Sequence, residues 1–465
     1  MDRSTIAAIC TPRGFGGVGI VKISGPDALQ IARAIFRSKI QKDDLAEAVS
    51  FKAYRLRYGV IVQPEDGRRI DEVLLASMRA PKSYTGEDVV EINAHAGPVV
   101  LNSILDLVLE QGAHLAEPGE FTRRAFLNGR IDLTQAEAVV DLINAKTNAA
   151  ARMASAQMAG QLRAEIEKIR VTVKQLITHN EARIDFPEDV VSENHLAADI
   201  LALQDKIISP LKSIIDHYRE GRILREGLRL AVVGRPNVGK SSLMNRLVRN
   251  DRAIVTDIPG TTRDTVEDFI NIQGIPVVIV DTAGFQNTDN PVEIIGIEKT
   301  LKNIEQADLI LFVVEEGHGL QAGDFEIYKK VADKPLFIVI NKKDLENVSQ
   351  PILLPDEWGG NPSLRISALK GEGLAALEKA IYGFVAGGQH GPMNTDFAPN
   401  LRQKQLIQNS LRAAQAALES KEREDPGELT ALDLDECLLN LNAILGKHMR
   451  EDILERIFSE FCIGK

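Results

Sequence analysis

Gly234-Arg235-Pro236-Asn237-Val238-Gly239-Lys240-Ser241 directly follows the apolar run 228–233 and precedes the helical pattern 242–248. A strand, a glycine-bounded turn ending in Lys-Ser and a helix together make a phosphate cradle. Glycines let backbone N–H groups approach phosphate oxygens closely, and the helix N-terminus adds partial positive charge. Lys240 is expected to neutralise the β- and γ-phosphates and the Ser241 hydroxyl to ligate Mg²⁺. Asn237, Val238, Gly239 and Ser242 complete the expected contacts along the turn.

Three further motifs follow in the order of a GTPase. Asp281-Thr282-Ala283-Gly284 ends the apolar run 276–281, Asn341-Lys342-Lys343-Asp344 ends the run 336–341, and Ser367-Ala368 follows the run 364–366. Asp281 can hold Mg²⁺ through water, and the Gly284 N–H can sense a γ-phosphate. Asp344 can accept two hydrogen bonds from the N1–H and exocyclic amine of guanine, a donor pair adenine does not offer. Asp257-Ile258-Pro259-Gly260-Thr261-Thr262 lies between the first two motifs and reads as a switch, with Thr262 completing the Mg²⁺ shell while the γ-phosphate is present. The Gln that commonly positions water would directly follow the Gly of the second motif; here Phe285 follows Gly284 and Gln286 comes one place late. Catalytic help must then come from a cation, another residue or a second subunit. The runs 228–233, 276–281, 309–314 and 336–341 alternate with helical patterns, which predicts a mostly parallel sheet covered by helices.

The flanks differ in texture. Residues up to about 120 carry short β-rich runs (19–25, 71–78, 88–93) and helical spacing over 28–36 and 99–109, predicting a compact α+β domain. Leu133, Ala136, Val140 and Ile143, then Leu162, Ile166, Ile169, Val173 and Leu176, recur at intervals of three and four, so amphipathic helices pack as a bundle. Pro187 and Pro210 are expected to end or bend helices. A linker spans 387–400, after which Ile407, Leu411, Ala414 and Leu418, then Leu434, Leu438, Leu441 and Leu445, resume the helical stripe. The reading is a multidomain α/β and α+β chain: an N-terminal domain over 1–120, a helical domain split between 121–225 and 387–465, and an inserted α/β module over 226–386.

At 465 residues the chain has length for roughly three domains. No apolar run approaches the ~20 residues of a membrane helix and no signal-peptide stretch opens the chain, so a cytoplasmic location is expected. Cys10, Cys437 and Cys462 are odd in number and far apart, which suits neither a disulfide framework nor a CxxC metal site. A net charge of −11 opposes charge-driven wrapping of nucleic acid, so any RNA contact is local or shared with a partner. The clusters Arg123/Arg124/Arg130 and Arg222/Arg225/Arg229 read as solvated faces.

Outside the nucleotide motifs stand Thr11-Pro12 with the run 16–20, Tyr84-Thr85-Gly86-Glu87-Asp88, His95-Ala96-Gly97-Pro98, Pro118-Gly119-Glu120-Phe121-Thr122, and the terminal Phe461-Cys462-Ile463-Gly464-Lys465. With these strings the chain resembles, over essentially its whole length, the MnmE (TrmE) family of tRNA-modification GTPases in the TrmE-Era-EngA-like superfamily. The resemblance implies an N-terminal domain that binds a tetrahydrofolate (5-formyl or 5,10-methylene) and forms a homodimer, a split helical domain and an inserted G domain. It implies a heterotetramer with the flavoprotein MnmG (GidA), which brings FAD and NADH, and installation of an aminomethyl-type group on C5 of the wobble uridine of tRNA. It also implies a K⁺ held by Asn237, Thr256, Ile258 and Thr261, and a water-orienting Glu at Glu293. The folate pocket carries over to Lys22, Glu91, Arg130 and Lys465, with Lys22 standing where Arg is the better-known occupant. Arg130 and Lys465 suit the glutamate carboxylates of a folate, and Glu91 its N–H-rich pterin edge. Cys462 is either a thiol for addition chemistry at the uridine ring or a small buried hydrophobe. The competing reading is a regulatory switch, such as a ribosome-assembly or stress-linked GTPase, whose flanks are only docking surfaces.

Overall fold

The computed structural model describes residues 4–12, 14–38, 53–185, 193–250, 269–281, 303–317, 319–345, 352–387, 397–447 and 449–465. Pro187, Thr256 to Thr262, Thr282 to Gly284 and Glu293 lie outside the described residues.

The chain opens with β1 (Ile6–Ile9), β2 (Gly19–Ser24), α1 (Ala28–Ile35), β3 (Phe36–Ser38), β4 (Leu56–Val62), β5 (Arg69–Met78), β6 (Val89–Ala94), α2 (Pro98–Glu110) and β7 (His114–Leu115). Helices α3 (Glu120–Leu127), α4 (Leu133–Asn144), α5 (Asn148–Met158), α6 (Gln161–Asp185), α7 (Glu193–Leu203), α8 (Ser209–Asp216) and α9 (Tyr218–Glu226) follow. Then come β8 (Leu228–Val233), α10 (Lys240–Asn250), β9 (Phe269–Ile272), β10 (Ile275–Asp281), β11 (Leu309–Glu315), α11 (Ala322–Val331), β12 (Leu336–Asn341), β13 (Ser363–Arg365) and α12 (Leu374–Val385). Helices α13 (Leu401–Glu422), α14 (Gly427–Ile444) and α15 (Glu451–Phe458) end the chain. Among the described residues it divides into two compact units, one of residues up to Val140 with Leu438–Lys465, the other running from Asp141 to Cys437.

In the first unit the strand order is β3-β4-β5-β6-β2-β1-β7, antiparallel except for β1 beside β7. Side chains alternate across a strand, so Val21 and Ile23 enter the core with Ile31, Ile35, Ile104 and Val108 of α1 and α2, and Lys22 faces the other way. On that opposite face Ala8, Lys22, Glu91 and Ala76 are aligned in one cross-strand row. The tail of the chain returns to this unit: Phe458 and Phe461 pack with Leu133 and Ala136, and Ile463 bridges Pro118.

In the second unit the order is β13-β12-β11-β8-β10-β9, parallel except for the antiparallel β9. Strands β8, β11 and β12 are covered on both faces, which is why they read as unbroken apolar runs. Helix α13 from beyond the G module packs on α7 and α8 from before it, tied by a buried Lys421–Asp199 ion pair at 3.0 Å. Pro210 stands in the first turn of α8, just after a π-helical turn over 204–208. No helix of the described residues is long and apolar enough to cross a membrane.

Two sequence readings need correction. Arg124 is no solvated charge: it is 7% exposed, with its guanidinium bonded to Glu120, Glu87 and the Ser4 carbonyl. Arg222 and Arg225 are also engaged, the first with Asp308 and the second with the Ala398 and Pro399 carbonyls. Cys462 is exposed rather than a buried hydrophobe, whereas Cys437 is fully buried. Burial pushes the Cys437 thiol up to about 12. At pH 8 Cys437 therefore stays a thiol, whereas an ordinary thiol is appreciably ionised there. Iodoacetamide labelling of the folded chain, mapped by peptide mass spectrometry, should mark Cys462 and leave Cys437 unmodified. Equal labelling of both would contradict this burial.

Candidate functional site

The phosphate turn is built by the end of β8 and the start of α10. Asn237 adopts φ +64°, a conformation Asn tolerates better than most side chains, and Gly239 adopts φ +97°. A Cβ on Gly239 would lie 2.2 Å from the Asn341 side-chain nitrogen, so the position requires glycine. Lys240 Nζ donates to the carbonyls of Gly234 and Arg235, each at 2.8 Å, which keeps the ammonium over its own loop. Behind the loop, Arg235 Nε pairs with the buried Asp324 of α11 at 2.7 Å. That support has no signature in the motif itself.

Asn341 joins three parts of the site. It is 2% exposed; its Nδ2 donates to the Val238 carbonyl at 2.8 Å and its Oδ1 accepts from the Ala368 N–H at 3.0 Å. The phosphate turn, the Asn341–Asp344 turn and the Ser367-Ala368 turn are therefore one hydrogen-bonded assembly. Lys342 pairs with Glu315 at 2.8 Å, and the Lys343 N–H donates to the Ile366 carbonyl at 3.0 Å. A hydrogen bond from Ser367 holds the Asp344 carboxyl below its usual range, with smaller help from its own backbone, Lys370 and Lys342. Asp344 is thus an ionised acceptor throughout neutral pH, as recognition of two guanine donors needs. Asp281 ends β10 paired with Val232, one residue short of the end of β8 and so close to the start of the phosphate turn.

Among the described residues no group of three or more His, Cys, Asp or Glu is arranged to hold a metal ion. Mg²⁺ coordinated by phosphate oxygens, water and the Ser241 hydroxyl needs no such cage.

A second cluster forms in the first unit. Lys22 Nζ lies 3.7 Å from the Glu91 carboxylate and between two aromatic rings, 5.6 Å from the centroid of Tyr84 and 5.3 Å from that of Phe121. The Arg130 guanidinium lies 5.0 Å from the Tyr84 centroid and donates to the Tyr84 carbonyl at 2.7 Å. The Lys465 carbonyl accepts from the Phe121 N–H at 3.1 Å, which brings the end of the chain to the same place. Gly464 passes so close to Cys10 that an added Cβ would sit 3.3 Å from its Sγ. Burial raises the Cys10 thiol above its ordinary value, opposed by Lys22 and Lys465 and assisted by Glu91. Lys22, Glu91, Arg130 and Lys465, far apart in sequence, thus share one neighbourhood. Cys10, Tyr84 and Phe121 belong to it as well; sequence reasoning missed them, although Tyr84 and Phe121 lie inside the strings that carry the resemblance.

Comparison with known proteins bears on both clusters. Residues 5–130 match the family model of the GTP-binding protein TrmE N-terminus, and residues 133–462 that of the MnmE helical domain. The tRNA modification GTPase MnmE of Carboxydothermus hydrogenoformans is 46% identical, with 100% of each chain covered. The protein of the same name from Acetivibrio thermocellus is 44% identical over 100% of this chain and 99% of its own. Among solved structures, a variant of Aquifex aeolicus Era bound to GDP·AlF4⁻ is 27% identical over 40% of this chain and 65% of its own, with a TM-score of 0.26.

Proposed function

Because the chain belongs to the MnmE family of tRNA modification GTPases, a GTP hydrolase taking part in tRNA modification, we propose that it works on the wobble uridine with a folate-derived carbon and a flavoprotein partner. Beyond a GTPase in general, this reading is carried by the convergence of Lys22, Glu91, Arg130 and Lys465 on one cluster beside Tyr84 and Phe121. The partly exposed Tyr84 ring suits the flat pterin of 5-formyl- or 5,10-methylene-tetrahydrofolate, the fully buried Phe121 backs Lys22, and the cations suit the glutamate tail. A homodimer through the N-terminal domain, a heterotetramer with MnmG carrying FAD and NADH, and a cytoplasmic location complete the proposal. We keep the organisation 1–120, 121–225, 226–386 and 387–465 as its domain frame.

In the G module, Lys240 and the turn N–H groups would bind and orient the phosphates, Asp344 would select guanine, and Ser241, Asp281 and Thr262 would hold Mg²⁺. Asn237, exposed at the apex of the turn, would supply its side-chain oxygen to K⁺ together with Thr256, Ile258 and Thr261. A cation fixed there offsets charge that develops on the phosphates, the part an arginine plays elsewhere. Glu293 would orient the attacking water. Exchanging KCl for NaCl is expected to lower GTP turnover about tenfold or more, within the range of one transition-state cation contact. In Asn237→Ala the difference between the salts should vanish. Equal wild-type rates in both salts would remove K⁺ from the proposal.

The whole reading is tested on tRNA from cells lacking this gene, with the wild-type chain or Asp281→Asn restored and wobble nucleosides analysed by mass spectrometry. The C5 aminomethyl-type modification should return with the wild type alone. Unchanged wobble uridine in all strains would favour the regulatory-switch reading.

A further inference from the structure

In sequence the hairpin of β9 and β10 lies between the Asp257–Thr262 segment and the second motif. Phe269 follows the Asp257–Thr262 segment by a few residues, and Asp281, the last residue of β10, is the first residue of the second motif. Phe269 pairs with Val278 and Ile272 with Ile275, so the tip at Gln273-Gly274 is at the opposite end of the sheet from Asp281. Six residues of β10 separate them, roughly 20 Å at strand rise. The tip is stiff: Gln273 and Gly274 have φ +50° and +94°, and Asn271 Oδ1 accepts from the Gly274 N–H at 2.7 Å. Ile270, Ile272, Ile275 and Val277 are buried in the core of the module, so the hairpin moves with it as one piece.

The tip meets the start of α5. A Cβ on Gly274 would lie 3.8 Å from that of Ala149, and the Lys146 ammonium lies 5.3 Å from the Phe269 ring centroid. Between them is a cavity of about 270 Å³ lined by Asn148, Arg152, Asn271, Gln273 and Tyr382 among others. A polar seat with unfilled space can change its contacts without opening an apolar core, whereas the buried face of α5 cannot. That face, Ala150 and Met153, packs on Leu224 of α9 and Ala398, so a shift of α5 is passed to the helical part.

We propose that this contact transmits nucleotide state: the β9–β10 hairpin is the lever and the N-terminal turn of α5 its receiver. The inference rests on the reading that GTP turnover drives tRNA modification. It separates hydrolysis, which needs only the G module, from modification, which needs the module, hairpin included, free to shift against the start of α5.

The test is a reversible lock. Ala149→Cys with Gly274→Cys places two Cβ atoms at the separation of a disulfide, about 3.8 Å. The full chain is assayed with its flavoprotein partner and tRNA, oxidised and then reduced, beside an Ala149→Cys control. Oxidation should leave GTP turnover within about threefold and lower tRNA modification about tenfold, a size typical of coupling between sites, with recovery on reduction. Equal modification in both states would overturn the proposal, and so would parallel loss of turnover and modification. Lys146→Ala with Arg152→Ala, which leaves the hairpin untouched, should lower modification about fivefold at unchanged turnover; unchanged modification there would also count against it. Absence of modification by the wild-type chain would instead defeat the underlying reading, and this inference with it.

Discussion

Asp344→Asn is expected to exchange guanine for xanthine as the accepted base. The wild-type carboxylate, kept ionised by Ser367, presents two acceptors to two guanine donors. Asparagine presents one acceptor and one donor; its NH₂ then faces the guanine amine, and two donors are left without partners. A site built for a hydrogen-bond pattern rejects the wrong pattern by on the order of 10⁴. Xanthine has a carbonyl where guanine has the amine, which the new NH₂ can serve. The ratio of GTP to XTP affinities, from competition against a fluorescent guanine nucleotide and its xanthine counterpart, should invert. Because Asn341 ties the three turns together through its own side chain, the substitution leaves that assembly in place. Loss of both nucleotides together would show that Asp344 supports the turn instead of reading the base.

Lys240→Ala is the second large effect. The ammonium is held over the phosphate turn by two carbonyls of its own loop, and on the proposed reading it would place one fixed charge at the β- and γ-phosphates. Charge shifts toward the bridging and γ-oxygens as the bond breaks, and removing one such contact costs about 10³-fold in kcat, ~4 kcal/mol of barrier. Affinity for GDP should fall less, since the N–H groups of the turn remain. Single-turnover hydrolysis at saturating GTP measures the first quantity and equilibrium titration the second. A rate within tenfold of wild type would place the main electrostatic contribution elsewhere, with the K⁺ ligands as the next candidates.

Much of the G module was legible residue by residue. β8 and β12 begin and end where their apolar runs do, because a parallel strand buried on both faces has no alternation to blur its limits. The antiparallel hairpin of β9 and β10 was half visible: β10 reads as an apolar run, but Phe269–Ile272 is a short alternating stretch with one face inward, and only its partner makes it a strand. Arg124 shows a different failure. Nothing in Arg123-Arg124 tells one arginine from the other; the turn of α3 directs Arg124 onto Glu87 and Glu120 and makes it a buried ion cluster.

The proposed nucleotide site was readable from sequence alone, because each of its elements is a short contiguous turn whose glycines, hydroxyls and acids act through local backbone geometry. So was the alternation of strand and helix, which follows from periods of two and 3.6 read over a few residues. The second cluster came only with the tertiary structure. Lys22 meets Glu91 because antiparallel register sets them opposite each other, and both face away from α1 and α2 because their neighbours Val21, Ile23 and Ile92 face the core. Lys465 and Cys10 join them because the tail pairs with Pro118 and Phe121 at the far end of the chain. Register and chain return are products of long-range packing, and no local stretch of residues encodes them.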